Sequence, residues 1–340
     1  MDIKKFIIIG ENIHCTRVFK REGNMVGAAP DGRPAVLYSE GGQKKFMPVP
    51  DCVLKGGDWE NGKVKHCVAA IWQGMHGQGA DREAGLDYLR FMAVKQEKAG
   101  ATYLDVNVDE FSNNLDERLK AMRWTAETVQ KFSKLPLSID SSNVEIMRAG
   151  LKACDPKRGK PVVNSISLER LALLDPVAEH KAAVVASAAG EKGLPATVEE
   201  RIANFDKLIP KLLAAGVKYP AMHLDPLVYT ISTDPLNGKM FLEAVAAARR
   251  KYGAEIHVIG GLSNVSFGMP CRKLINQVFT ALSVEAGGDG GIVDPSQINA
   301  DILRALDTEG EPYKLAKALL TGEDEYGANF IAASREKRIS

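Results

Sequence analysis

The stretch Ala101-Thr102-Tyr103-Leu104-Asp105-Val106-Asn107-Val108-Asp109 decides how the rest of the chain is read. It is a short apolar run that closes on polar side chains, and an amphipathic helical pattern follows over 113–132. The same unit recurs downstream. LPLSIDSS (135–142) precedes 143–153, KPVVNSIS (160–167) precedes 168–178, and KAAVVASAA (181–189) precedes 197–216. YPAMHLDPL (219–227) precedes 236–252, EIHVIGGLSN (255–264) precedes 270–287, and GGIVDP (290–295) precedes 296–307. Upstream, KFIIIGENI (5–13) supplies a further strand and brings the total to eight. Strands this continuously apolar suit a parallel sheet covered on both faces. Eight strand–helix units predict an α/β fold, a (β/α)8 TIM barrel, better than an open sheet.

One segment breaks the rhythm. Residues 16–80 separate the first strand from its helix, which is expected to begin near Asp81. Glycines and strand-like pieces fill it: PAVLYSEGG (34–42), KKFMPVP (44–50) and HCVAAIW (66–72). This predicts a β-rich insertion after strand 1, on a loop at the catalytic face of such a barrel. The expected organisation is therefore one barrel over 1–310, including the insertion at about 16–80, and a C-terminal helix and charged tail over 311–340. Helix ends are readable. Ser142–Asn143 can cap the third helix, and Thr197 can cap the helix that opens Val198-Glu199-Glu200. In the helix over 236–252, Phe241, Ala244, Val245 and Ala248 form a stripe that should face the sheet.

Bulk properties exclude several function classes. The 340 residues carry 44 Lys plus Arg against 43 Asp plus Glu, a net charge of +1. Such a balance gives no electrostatic reason to expect nucleic acid or an anionic membrane as partner. No apolar run is long enough to cross a membrane, and the N-terminal run reads as a strand rather than a signal peptide. The five cysteines are scattered and odd in number, which suggests reduced thiols and a cytoplasmic location. Cys52, His66, Cys67 and His76 lie near one another without a tight Cys-x-x-Cys knuckle, so no metal is expected. No glycine-rich phosphate fingerprint follows a strand, and GGDGG (287–291) reads as a turn into the last strand.

What ends the strands is more informative. Glu11 and Asn12 follow the first, and Asp105 and Asn107 end the second. Asp140, Asn164, Asp225, Ser263–Asn264 and Asp294 end the third, fourth, sixth, seventh and eighth. One such residue often only caps the next turn, but nearly every strand delivers one. A ring of carboxylates and amides with few cations suits a flat heterocycle that presents both donors and acceptors, such as an amino-pyrimidinone edge.

Several stretches resemble the pterin-binding methyltransferases. They are IIIGENIH (7–14), GATYLDVNV (100–108), LPLSIDSSNVEIMRAGLKAC (135–154), PVVNSISLE (161–169), LDPLV (224–228) and GGLSNVSFGMPCRKLIN (260–276). The chain is most similar to methyltetrahydrofolate:corrinoid-protein methyltransferases, then to the folate module of cobalamin-dependent methionine synthase, and more distantly to dihydropteroate synthase. The resemblance implies that Asp140, Asn164 and Asp225 bind the pyrimidine edge of the pterin. It implies that Asn264 contacts the methyl-bearing nitrogen and is the residue of the transfer step. Gly261 and Ser263 line the same loop, Glu11 matches the family's first-strand glutamate, and Asn107 joins the pterin set. Arg272 is expected near the folate tail or the docked partner. His14 stands where several relatives have Asn, and Phe267 where one has Gln; His14 is expected to be a satisfied structural histidine.

The implied activity is methyl transfer between N5 of tetrahydrofolate and the cobalt of a corrinoid, as in one-carbon metabolism or demethylation. The substrate is tetrahydrofolate or 5-methyltetrahydrofolate. GMHGQG (74–79) has Gly74 where a corrinoid-binding Asp-x-His-x-x-Gly signature needs Asp, so the corrinoid is expected on a separate protein. A homodimer is expected because relatives form one. The alternatives are a dihydropteroate-synthase-like enzyme and a non-catalytic pterin-binding protein. Against the synthase, there is no Asn-x-Thr-x-Asp-Ser-Phe loop after the first strand, and Ser-Asn-Val replaces Ser-Arg-Lys after the seventh.

Overall fold

A computed structural model describes residues 3–339. Strand β1 (Ile7–His14) is followed by the short strands β2 (Phe19–Lys20), β3 (Val26–Ala28), β4 (Pro34–Glu40) and β5 (Gln43–Pro48). Helices α1 (Asp51–Leu54) and α2 (Gly57–Glu60), strand β6 (Lys63–Val64), and helices α3 (His66–His76) and α4 (Gly79–Lys98) come next. Strand and helix then alternate: β7 (Tyr103–Asn107), α5 (Leu115–Phe132), β8 (Leu137–Asp140), α6 (Val144–Ala153), β9 (Val162–Ile166), α7 (Leu174–His180), β10 (Ala183–Ser187) and α8 (Val198–Ala214). The series closes with β11 (Met222–Asp225), α9 (Asn237–Tyr252), β12 (His257–Val258), α10 (Arg272–Glu285), β13 (Gly290–Val293) and α11 (Ala300–Arg304), then α12 (Glu311–Thr321) and α13 (Ala328–Arg335).

Eight strands form one sheet in the order β12-β11-β10-β9-β8-β7-β1-β13. The two ends of that order are joined by backbone bonds, Asp289 N to Val258 O at 2.9 Å and Ile292 N to Gly260 O at 2.9 Å. The fold is the expected (β/α)8 barrel. Every residue of β10 and β11 is buried, as doubly covered parallel strands require.

Two compact units are distinguished by internal packing. The first holds the residues up to Gly10, Ala99–Thr102 and those from Val162 on. In it, Phe241, Ala244, Val245 and Ala248 are buried on α9 as the stripe predicts. Thr197 and Glu200 complete a reciprocal capping box on α8. The tail differs from a single helix with a charged end. Asp324, itself buried, accepts bonds from Asn329 N and Phe330 N and so starts a second helix, α13, whose Phe330 and Ala333 are buried.

The second unit holds Glu11–Lys98 and Tyr103–Pro161. Asn143 caps α6 by accepting from Glu145 N and Ile146 N at 2.9 and 3.1 Å. The insertion carries the antiparallel sheet β3-β4-β5 and the pair β2-β6. Its hairpin is fastened to α4, where Tyr38 Oη and Lys45 Nζ donate to Asp87 at 2.7 and 2.8 Å, and Arg90 donates to Glu40. The reading of HCVAAIW as a strand is corrected: these residues are the first two turns of α3. Seven consecutive residues from His66 to Trp72 include six that are buried, so the helix shows no polar face and its period is hidden. Strand β1 also runs on to His14, so Glu11 and Asn12 lie within it rather than beyond it.

Candidate active site

Strand geometry sends alternate side chains to opposite faces, so a polar residue at a strand end can be aimed without a loop. In the second unit this places Asn107 at the end of β7 and Asp140 at the end of β8, paired in register. Asn107 Nδ2 donates to Asp140 Oδ2 at 2.9 Å, and Asn107 Oδ1 accepts from Asp109 N at 3.0 Å. The amide is thereby oriented by its own turn and holds the carboxyl in place. From β1, His14 Nε2 lies 2.6 Å from Asp105 Oδ2 and 4.0 Å from Asp140 Oδ2. Glu11, buried on β1, is ion-paired with Arg17.

The charges explain one another. Burial pushes the Asp140 carboxyl up to about 7, and the neighbouring Asp105 adds to the effect while His14 and Asn107 oppose it. Burial alone would depress His14. Its contact with Asp105 and the fields of Asp140 and Glu11 outweigh that and raise it. The donor atoms of His14, Asp105 and Asp140 lie within 4.8 Å of one another, close enough to hold a metal ion. The His14–Asp105 bond and the Asn107 bond to Asp140 already engage them.

In the first unit, Asn164 is buried on β9 at 8% exposure. Asp225 ends β11, and its Oδ1 accepts from Leu227 N at 2.9 Å. Burial pushes this carboxyl up to about 6, with the Leu227 amide and the charge of Arg201 pulling the other way. The Leu262–Ser266 segment is a 3₁₀ turn. Asn264 sits inside it with ordinary backbone angles, and is not the left-handed turn residue that a bland reading would make it. A Cβ on Gly261 would come within 2.9 Å of Asn264 Nδ2, so the amide folds over Cα of the glycine. Arg272 braces the turn: Nε donates to Ser266 Oγ at 3.0 Å, Nη2 donates to Ser263 O at 2.9 Å, and the guanidinium stacks on Phe267 at 4.3 Å. Asn264 opens on a cavity of about 680 Å³ that is also lined by Pro195, Tyr229, Thr230 and Phe267.

A family model for pterin binding enzymes matches residues 81–294, from α4 to the end of β13. The chain belongs to the pterin-binding enzyme family. Among its relatives, the methylcorrinoid:tetrahydrofolate methyltransferase of Eubacterium limosum is 31% identical over 258 residues, covering 74% of this chain and 89% of that one. The methionine synthase of Mycobacterium leprae is 32% identical over 293 residues, covering 80% of this chain. The chain spans only 23% of that synthase's length. Solved structures of dihydropteroate synthase from Yersinia pestis and Xanthomonas albilineans superpose with TM-scores of 0.51 and 0.52, at 18% and 19% identity. They cover 68% and 66% of this chain and 88% and 87% of their own, and at that identity they establish the barrel alone. Within the family frame, residues 11–80 precede the matched segment, so the insertion has no counterpart there.

Sequence reading did not single out two participants. Asp105 was visible as a strand-end residue, but its bond to His14 joins positions 91 apart and leaves no local signal. Arg201 reads as an ordinary residue in the first turn of α8, yet it is fully buried.

Proposed function

We propose that this enzyme moves a methyl group between N5 of a tetrahydrofolate and the cobalt of a corrinoid carried by a separate protein. The observation that carries the reading is the braced Asn264 turn beside its cavity, in a chain whose relatives include a methylcorrinoid:tetrahydrofolate methyltransferase matched over nearly its whole length. Asp140, Asn164 and Asp225 each offer acceptor or amide groups to an amino-pyrimidinone edge. Glu11, Asn107, Gly261 and Ser263 support those groups, and Arg272 acts first by bracing the Asn264 turn.

The chemistry needs no general acid of its own. A tertiary amine is a poor leaving group. When cobalt(I) attacks the methyl carbon, the carbon–nitrogen bond breaks and its electron pair returns to N5. A donor aimed at N5 is strengthened as that pair develops, which stabilises the transition state more than the ground state. Asn264 can give that bond without adding a charge to a cationic centre. Working as a cytoplasmic homodimer in one-carbon metabolism or demethylation completes the proposal.

The test is methyl transfer from 5-methyltetrahydrofolate to free cob(I)alamin, followed by absorbance. Tight pterin binding with no transfer would replace this reading with a non-catalytic pterin-binding role. Turnover of a pterin pyrophosphate with 4-aminobenzoate would replace it with a dihydropteroate synthase role.

A further inference from the structure

Arg201 is fully buried, and none of Nε, Nη1 and Nη2 has a hydrogen-bond partner. Its guanidinium carbon lies over the ring of Tyr229, 5.0 Å from the centroid. Tyr229 is held there by donating its hydroxyl to Pro195 O at 2.9 Å, and its other side lines the cavity next to Asn264. An arginine placed this deep with no bonds costs several kcal/mol, and a ring face returns only part of it. The remaining compensation is electrostatic, and Asp225 is the buried carboxyl in its field.

We propose that Arg201 is a positioning residue for the pterin site, the fixed cation that keeps the Asp225 carboxylate charged while leaving both of its oxygens uncovered by a direct ion pair. An arginine bonded directly to Asp225 would also hold the charge, but it would occupy the acceptor lone pairs that a pterin's amino-pyrimidinone edge has to use. A cation held back by an aromatic ring supplies the field without taking the acceptors. This rests on Asp225 being a pterin ligand, as proposed above.

The charged and titratable groups bearing on the pair are few. Tyr229 stands between them and feels both, and Glu200 acts on Tyr229 from the same helix turn as Arg201. Glu200 is itself committed to the cap at Ala196 N and Thr197 N. From β10 comes only Ser187, paired in register with Asp225, and Ala188 N donates to Asp225 O at 2.9 Å. Asp225, already pushed up to about 6 by burial, would be driven higher without Arg201 and would be neutral near pH 7.

The experiment titrates Asp225 directly, by carbon NMR of protein labelled at the aspartate carboxyl, with Asp225→Asn assigning the signal. In the wild type the signal should report an ionised carboxyl at pH 7.5. In Arg201→Gln its midpoint should rise by a pH unit or more, and in Arg201→Lys by less. Affinity for 5-methyltetrahydrofolate at pH 7 should fall about tenfold in Arg201→Gln and recover at pH 9. An unmoved Asp225 midpoint in a folded Arg201→Gln protein overturns the proposal. So does a wild-type Asp225 that is neutral at pH 7.5, a result that needs no variant to fold. If the midpoint moves as expected but no folate binds to any form, the coupling stands and the pterin assignment of Asp225 is what fails.

Discussion

At the residue scale, Asn264 and Asp140 are expected to separate chemistry from binding. Asn264→Ala removes a donor that matters most when N5 receives its electron pair, so methyl transfer should drop by roughly 10²-fold or more. Folate affinity should change little, and stopped-flow transfer to cob(I)alamin reads the two apart; equal rates in both proteins would take Asn264 out of the step. Asp140→Ala should instead weaken 5-methyltetrahydrofolate binding by about 1–3 kcal/mol in calorimetry, the size of a lost charge-assisted bond. The binding should also carry a pH signature. Burial sets the Asp140 carboxyl at about 7, and only the ionised form accepts two bonds from the pterin edge. Affinity should therefore fall as pH drops from 8 to 6, by up to about tenfold per unit. In Asp140→Asn that slope should disappear, leaving the weaker limb set by Asp225 at about 6.

At the element scale, the strand–helix alternation was readable almost throughout, because each barrel strand is an apolar run bounded by polar residues and each helix has its own cap. Asn143 and Thr197 are where capping chemistry placed them. Reading failed where burial erased periodicity, in α3, and where long-range contacts decided the outcome, as in α13. Of the site, the strand-end carboxylates and amides could be named from their positions alone. The His14–Asp105 bond and the burial of Arg201 could not, since both depend on partners far away in the chain. Helix contacts also impose a requirement that sequence does not announce. A Cβ on Gly238 of α9 would come within 2.4 Å of Leu320 O on α12, a backbone atom that cannot swing aside. Gly238→Ala should thus destabilise the protein by about 1–3 kcal/mol despite alanine's better helix propensity. A urea midpoint equal to or above wild type would show that α12 yields freely.

For the whole molecule, the buried ionisable groups divide into two opposing sets. His66 and His223 are held down to about 3, chiefly by burial, so unfolding takes up a proton on each below the ordinary value of 6.5. Their contribution makes the protein less stable as pH falls from 6.5 toward 3, by up to about 1.4 kcal/mol per pH unit for each. Asp140 and Asp225 work in the other direction. Their raised folded values mean that the native state binds protons the unfolded chain releases, so they add stability at low pH and lose it as pH rises through about 6 and 7. Raised His14 acts with the aspartates. Between pH 6 and 4 the two sets oppose each other, and the urea midpoint should be nearly flat. The Asp140→Asn, Asp225→Asn double variant should be more stable than wild type at pH 8, by on the order of 1 kcal/mol or more, and should lose stability steeply on acidification. A double variant with the same pH profile as wild type would mean that these carboxyls are not strained in the native state.

Gly261 and Asn264 hold a lesson for anyone who evolves this enzyme. The amide of one rests where the β-carbon of the other would be, 2.9 Å away. Randomising position 261 while keeping Asn264 explores little but steric conflict, so the two codons behave as one locus. Libraries, recombination breakpoints and ancestral reconstructions that separate them will score each change as deleterious and will miss combinations in which a smaller side chain at 264 makes room for a larger one at 261.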